Sequence, residues 1–191
     1  MARSSKPEQT RALILAGAGR SFRRQGFGGV GVDGMAKEAG VTSGAFYAHF
    51  RSKAEAFRET VEVGMQELET AIRALRAEAP TSWIERFVDF YLGERRTCAA
   101  ADTCALQSLT GEVARADLET RDAFETRFEA VIAAAAEGMP AADARSRRDQ
   151  AIVLLTLLSG GVSLARAVNN PELSQEIATA IRASLKSLGT L

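Results

Sequence analysis

The 191-residue chain has one histidine, two cysteines, four prolines and one tryptophan, and each scarcity removes a class of explanation. His49 stands alone, so no HExxH pair forms, and no Ser-His-Asp set or metal-ligand cluster accompanies it. Cys98 and Cys104 do not make the disulfide framework of a secreted domain, and their spacing fits no common zinc signature. Alternating β-branched runs bounded by turn dipeptides are nearly absent, which argues against strands. Gly17-Ala18-Gly19 lies in a helical pattern, follows no strand and lacks the third glycine of a nucleotide fingerprint. Residues 1–10 are polar, without the apolar core of a signal peptide. The longest nearly apolar run, residues 151–165, falls short of the roughly 20 residues that span a bilayer and ends at Arg166. These absences predict a soluble, cytoplasmic chain with no enzyme chemistry, no cofactor and no membrane partner.

What remains is helix and charge. The chain is 46% hydrophobic and 25% charged, an ordinary globular balance, and Ala, Leu, Glu and Arg dominate. The net charge of zero hides a division. Residues 1–58 carry ten basic and four acidic side chains, and the remainder fourteen basic and twenty acidic. A basic head on an acidic body suits a polyanion partner for the head.

Helical periodicity predicts an all-α fold of about nine helices. The first covers residues 8–25, with Ala12, Leu15, Ala16, Gly19 and Phe22 on one face and Gly26 as its C-terminal glycine. Short helices follow over 32–39 and 43–50. Ser52 and Glu55 read as a capping box opening a helix to about residue 77. In the body, Pro80 opens a helix that Thr81 or Ser82 caps. A looser stretch, 97–103, precedes helices at 104–114, 118–137, 142–168 and 172–188. The last of these shows Leu173, Ile177, Ile181, Leu185 and Leu188 at helical spacing.

The informative segment is Met35-Ala36-Lys37-Glu38-Ala39-Gly40-Val41-Thr42-Ser43-Gly44-Ala45-Phe46-Tyr47-Ala48-His49-Phe50. It meets the physical needs of a helix-turn-helix. Small Ala36 lets two helices cross closely, Gly40 permits the tight turn, and Val41 plugs the core beneath it. Thr42 or Ser43 caps the second helix. Phe46 and Phe50, one turn apart, anchor a helix too short to hold its shape alone in water.

Thr10-Arg11, Phe22, Gly26-Phe27, Met35-Ala36, Ala39-Gly40-Val41, Gly44, Tyr47, His49-Phe50 and Ser52-Lys53 follow, in order and spacing, the head pattern of TetR-like regulators, which the chain thereby resembles over about residues 8–57. The resemblance implies a three-helix DNA-binding head, residues 1–57, and a helical effector-binding and dimerisation body, residues 58–191. It implies that helix 43–50 enters the major groove, with Thr42, Ser43, Gly44 and Ala45 near base edges and Tyr47, His49 and Lys53 on phosphates. It also implies an effector-responsive repressor bound to palindromic operator DNA. The body helices Ala142 to Val168 and Glu172 to Leu188 would then pair with their symmetry mates in a homodimer. Two departures stand out: Gly31 occupies the usual Ser/Thr cap of the second helix, and the reading helix has no Arg, Asn or Gln for bidentate base contacts.

The body offers Trp83, Phe87, Phe90, Tyr91, Phe124 and Phe128 as candidate walls of a pocket for an unknown small-molecule effector, with ordinary core as the competing role. Arg95 and Arg96 stand close in sequence to Cys98, and Cys98 or Cys104 is a candidate redox sensor on that ground. The rival reading of the whole chain is a helical ligand carrier or protein-interaction module without DNA binding.

Overall fold

A computed structural model of the chain describes residues 5–187, and among these every regular element is helical. The ten α-helices are α1 (Lys6–Gly29), α2 (Val32–Glu38), α3 (Ser43–Tyr47), α4 (Lys53–Glu78), α5 (Trp83–Phe90), α6 (Ala105–Ser108), α7 (Thr110–Val113), α8 (Leu118–Ala136), α9 (Ala144–Ala167) and α10 (Pro171–Ser187). A π-helical turn, Tyr91–Arg95, extends α5, and one 3-10 turn covers Ala100–Asp102. Leu188, expected on the apolar stripe of the last helix, lies outside the described residues.

Contacts group the chain into two compact units: residues up to Gly64 with Ala99–Glu125, and Met65–Cys98 with Thr126–Leu191. The first unit thus takes in a segment, Ala99–Glu125, that residue order assigns to the body.

In the first unit α1 starts two residues earlier than its periodicity suggests. Ser5 caps it: the Glu8 amide donates to Ser5 Oγ at 3.5 Å, and the Ser5 amide donates back to the Glu8 carboxylate at 2.7 Å. Gly26, at φ 74°, breaks the helix where expected. The buried face overlaps the expected one at Gly19 and Phe22 but is shifted along the helix surface. Ile14, Ala18 and Phe22 are buried together with Gly17, Gly19 and Ser21, whereas Ala12 and Ala16 are exposed. Alanine and leucine occur on several stripes of α1, so apolarity alone does not select one. Close approach does: a Cβ on Gly17 would stand 2.9 Å from the Ala39 backbone, so α1 buries its glycine side against the end of α2. Phe22, Phe27 and Phe57 close the core, with Phe57 edge-on to both others at 5.1 Å. The expected helix 104–114 is two short helices, α6 and α7, that meet at Leu109. Arg58 pairs with Glu119 across this unit.

The second unit packs α5, α9 and α10 with the later part of α8. Trp83, Phe87 and Tyr91 form one buried row, with ring centroids 6.3 and 5.0 Å apart. The Trp83 indole donates to the Gly138 carbonyl at 3.0 Å, which satisfies its one polar atom. Ser82 occupies the N-cap of α5 without a side-chain hydrogen bond, so the expected cap is not formed. The π-turn carries the helix to Arg95, and the loose segment begins about where expected. Arg166 of α9 closes it by donating to the carbonyls of Arg95, Arg96 and Cys98 at 3.1, 3.0 and 2.9 Å. On α10 the buried residues are Ser174, Ala178 and Leu185, while Leu173 is exposed and Ile177 and Ile181 half-buried.

Candidate nucleic-acid interface

Helix α2, its turn and α3 form the motif. Gly40 takes φ 70°, in the left-handed region that side chains avoid. The chain turns there, with the Gly40 amide donating to the Lys37 carbonyl at 3.1 Å and the Val41 amide to that of Ala36 at 2.9 Å. Thr42 caps α3, its hydroxyl oxygen accepting from the Ala45 amide at 3.2 Å. Regular helix ends at Tyr47, three residues before the expected end. Phe50 still reaches back to the Phe46 carbonyl through its amide at 2.9 Å.

Five helical residues have no stability of their own, and burial supplies it. Phe46 and Phe50 are 0% and 1% exposed, with rings 5.4 Å apart. Opposite them Tyr47 is 59% exposed, and Thr42, Gly44 and Ala48 are exposed too. Ser43, Ala45 and His49 are half-buried. The rod is therefore pinned on one side and bare on the other.

Lys53 behaves differently from the rest of the proposed set. Its ammonium donates to the carbonyls of Phe27 and Val30 at 2.9 and 3.2 Å and lies 4.3 Å from the centre of the Phe27 ring. It ties the end of α1 to the start of α4, with one N–H beyond these two bonds. At the same place Ser52 Oγ accepts from the Glu55 amide at 3.1 Å. The Glu55 carboxylate accepts from Arg51, not from Ser52, so the capping box is closed one residue early.

Several members of the site escaped sequence reasoning. Arg20 and Arg24 both reach Glu38, at 3.0 and 2.9 Å. Hydrogen bonds from Arg24, then from Arg20, hold the Glu38 carboxyl below its ordinary pKa. Part of the head's positive excess is thus answered internally. Arg11 stacks over the Phe50 ring at 4.7 Å and pairs with Glu59. Asp33, in the first turn of α2, accepts a hydrogen bond from the Ser43 hydroxyl. Spacings of 14, 18 and 10 residues carry no periodic signal, so these partners became visible only in the folded chain.

The body candidates separate into groups. Trp83, Phe87 and Tyr91 are 2%, 4% and 2% exposed, which is core packing. Phe90 is 37% exposed beneath the Arg95 guanidinium, 4.8 Å from its ring. Phe124 and Phe128 are half-buried and fall in different units, the first and the second. Both cysteines are free and half-buried. The guanidinium that reaches Cys98 is that of Arg166, 3.8 Å from the sulfur, while Arg96 turns to Ser174 and Gln175. Arg96 is thus turned away from Cys98, and the Arg95 guanidinium lies over Phe90.

A basic three-helix head that pins a short rod by two phenylalanines and leaves its other side bare has the build of a helix-turn-helix. Residues 14–60 match the family model of bacterial regulatory proteins of the tetR family. The HTH-type transcriptional regulator AcrR of Shigella flexneri is 45% identical over 65 residues, 33% of this chain and 30% of that protein, so this likeness concerns the head. The fold of nearly the whole chain is that of reduced E. coli NemR, at TM-score 0.79 and 22% identity over 94% of this chain and 97% of that one. A TetR-family regulator from Agrobacterium tumefaciens gives TM-score 0.76 and 18% identity over 95% and 98%. The head, residues 14–60, thus resembles that of the tetR family, and the fold of nearly the whole chain is shared with solved regulators of that family.

Proposed function

We propose that the protein is a cytoplasmic repressor that blocks a promoter as a dimer and is released by a small-molecule effector. Residues 1–57 do the reading, and residues 58–191 bind effector and partner. The observation that carries the proposal is the two-sided rod: Phe46 and Phe50 buried, Tyr47, Thr42, Gly44 and Ala48 bare. Thr42, Ser43, Gly44 and Ala45 meet base edges, with thymine methyls the partners available to Ala45. Tyr47 and His49 hold phosphates, and Lys53 contributes its remaining N–H there.

The dimer rests on α9 and α10. Helix α9 is long and apolar enough by length and composition to cross a membrane, yet only 33% of that apolar window is buried within the chain. Val153, Leu164 and Leu173 are exposed on α9 and α10. Such a bare apolar surface marks an interface, and a second copy covers it as a four-helix bundle. A C2 dimer presents two reading rods about 34–36 Å apart, one DNA turn, to a near-palindrome.

Effector binding falls to the body, where Phe90 and Phe128 keep accessible ring surface. An electrophile or oxidant would act at Cys98 or Cys104. Release requires the effector to bind the DNA-free form better than the DNA-bound form.

The test is a gel shift of purified protein on the DNA upstream of its own gene, followed by a screen for compounds that release it. Saturable, salt-sensitive binding to one region is expected. Equal, weak binding to every duplex would leave the rival carrier reading in place.

A further inference from the structure

The exposed side of α3 offers few groups to read a base: Thr42 accepts from the Ala45 amide and keeps only its O–H, Gly44 has no side chain, Ala48 offers a methyl, and Tyr47 is assigned above to a phosphate. One strongly polar group does stand at the leading end of the rod, and it comes from the neighbouring helix. Asp33 is exposed in the first turn of α2, and the Ser43 hydroxyl donates to one of its carboxylate oxygens. No lysine or arginine among the described residues forms an ion pair with it. A bare carboxylate beside a surface meant for a polyanion lowers affinity for duplexes of every sequence. That cost is offset only where the carboxylate accepts a hydrogen bond from the nucleic acid.

Granting the DNA-binding reading above, on which this rests, we infer that Asp33 is a specificity-determining residue that selects cytosine in each operator half-site, with Ser43 as its positioning residue. A carboxylate is acceptor-only. In the major groove guanine shows two acceptors and thymine one, so both repel it. Adenine sets an acceptor beside its amino group. Cytosine alone presents an amino donor with no neighbouring acceptor. Ser43 holds one carboxylate oxygen and leaves the other for that amino group. Specificity in this head is then set partly by rejection, which suits a rod without Arg, Asn or Gln.

The test is selection of binding sites from a randomised duplex library with the full-length protein, its Asp33→Ala, Asp33→Asn and Ser43→Ala variants, and melting curves on each. The wild type is expected to enrich cytosine at one position per half-site. Asp33→Ala should relax that position roughly tenfold while raising affinity for random duplex. Asp33→Asn, able to donate and accept, should move the preference toward adenine. Ser43→Ala should weaken the cytosine preference without changing its identity. Should Asp33→Ala be poorly folded, Asp33→Asn, nearly the same in shape, carries the test alone. A wild-type consensus that a folded Asp33 variant leaves unchanged overturns the inference and makes Asp33 merely a first-turn acid favourable to α2. Failure of the wild type to enrich any sequence sinks the DNA-binding reading and this inference together.

Discussion

Tyr47 and Lys53 have the same expected role in the resemblance, but their surroundings separate them. Tyr47 shows 59% of its surface, more than any other described aromatic, so little of the fold depends on its hydroxyl. Tyr47→Phe is expected to keep the melting temperature and to weaken binding to all duplexes alike, by several-fold, as loss of one phosphate hydrogen bond would. Lys53 holds the carbonyls of Phe27 and Val30. Lys53→Ala is expected to cost about 1–3 kcal/mol of stability, because two half-buried carbonyls lose a charged donor. Urea denaturation checks this; a variant as stable as wild type but weak on DNA would make Lys53 a phosphate clamp only. At Gly40, φ 70° admits a side chain only under strain. Gly40→Val should cost about 1–2 kcal/mol on the same measurement.

At the scale of helices, the head depends on how α1 meets α2. Gly17 lets α1 lie against Ala39, and the obstacle to any side chain there is backbone, 2.9 Å from a built Cβ. Gly17→Val is therefore expected to lower the thermal midpoint and to weaken DNA binding together, since α2 must move to make room. Glu38 holds the same pair of helices through Arg24 and Arg20. Its folded pKa is lowered by those two partners, so its stabilising contribution is present above the ordinary glutamate range. It is lost as pH falls below that range and through the folded value. The stability gap between wild type and Glu38→Gln should thus be widest near neutral pH and close on acidification. A gap that stays constant as pH falls would remove Glu38 as the titrating strut. Because both arginines are well exposed, the gap will be small.

For the whole molecule the question is what covers α9 and α10. Leu164 is 63% exposed and Leu173 42%, far from any role in the packed core. Leu164→Glu is expected to leave the melting transition of the dilute chain nearly intact while shifting sedimentation toward monomer. Operator affinity should then fall by at least tenfold, as one half-site replaces two. A Leu164→Glu protein that sediments as a dimer would move the interface elsewhere. Helix α9 also shows why a run length read from sequence misleads. The apolar stretch 151–165 is short, but the helix that carries it runs over Ala144–Ala167, and only a third of its apolar window is buried within the chain.

Local order was legible without coordinates wherever the signal was local. Gly26 and Gly40 mark turns because only glycine tolerates their backbone angles, and Thr42 caps α3 because a hydroxyl three residues from an orphan amide reaches it. The two phenylalanines that pin the rod lie one turn apart, so their shared face follows from helical pitch alone. Other features depended on which surfaces meet. The face of α1, the strap from Lys53, the carboxylate of Asp33 on Ser43 and the placing of Ala99–Glu125 with the head all join residues without periodic spacing. Sequence by itself determined the long helices, the glycine turns and the motif, since these arise from neighbours along the chain. Only the tertiary structure decided which aromatic is core, which cation is occupied and which carboxylate faces outward, because burial and pairing belong to surfaces that exist only once the helices have packed.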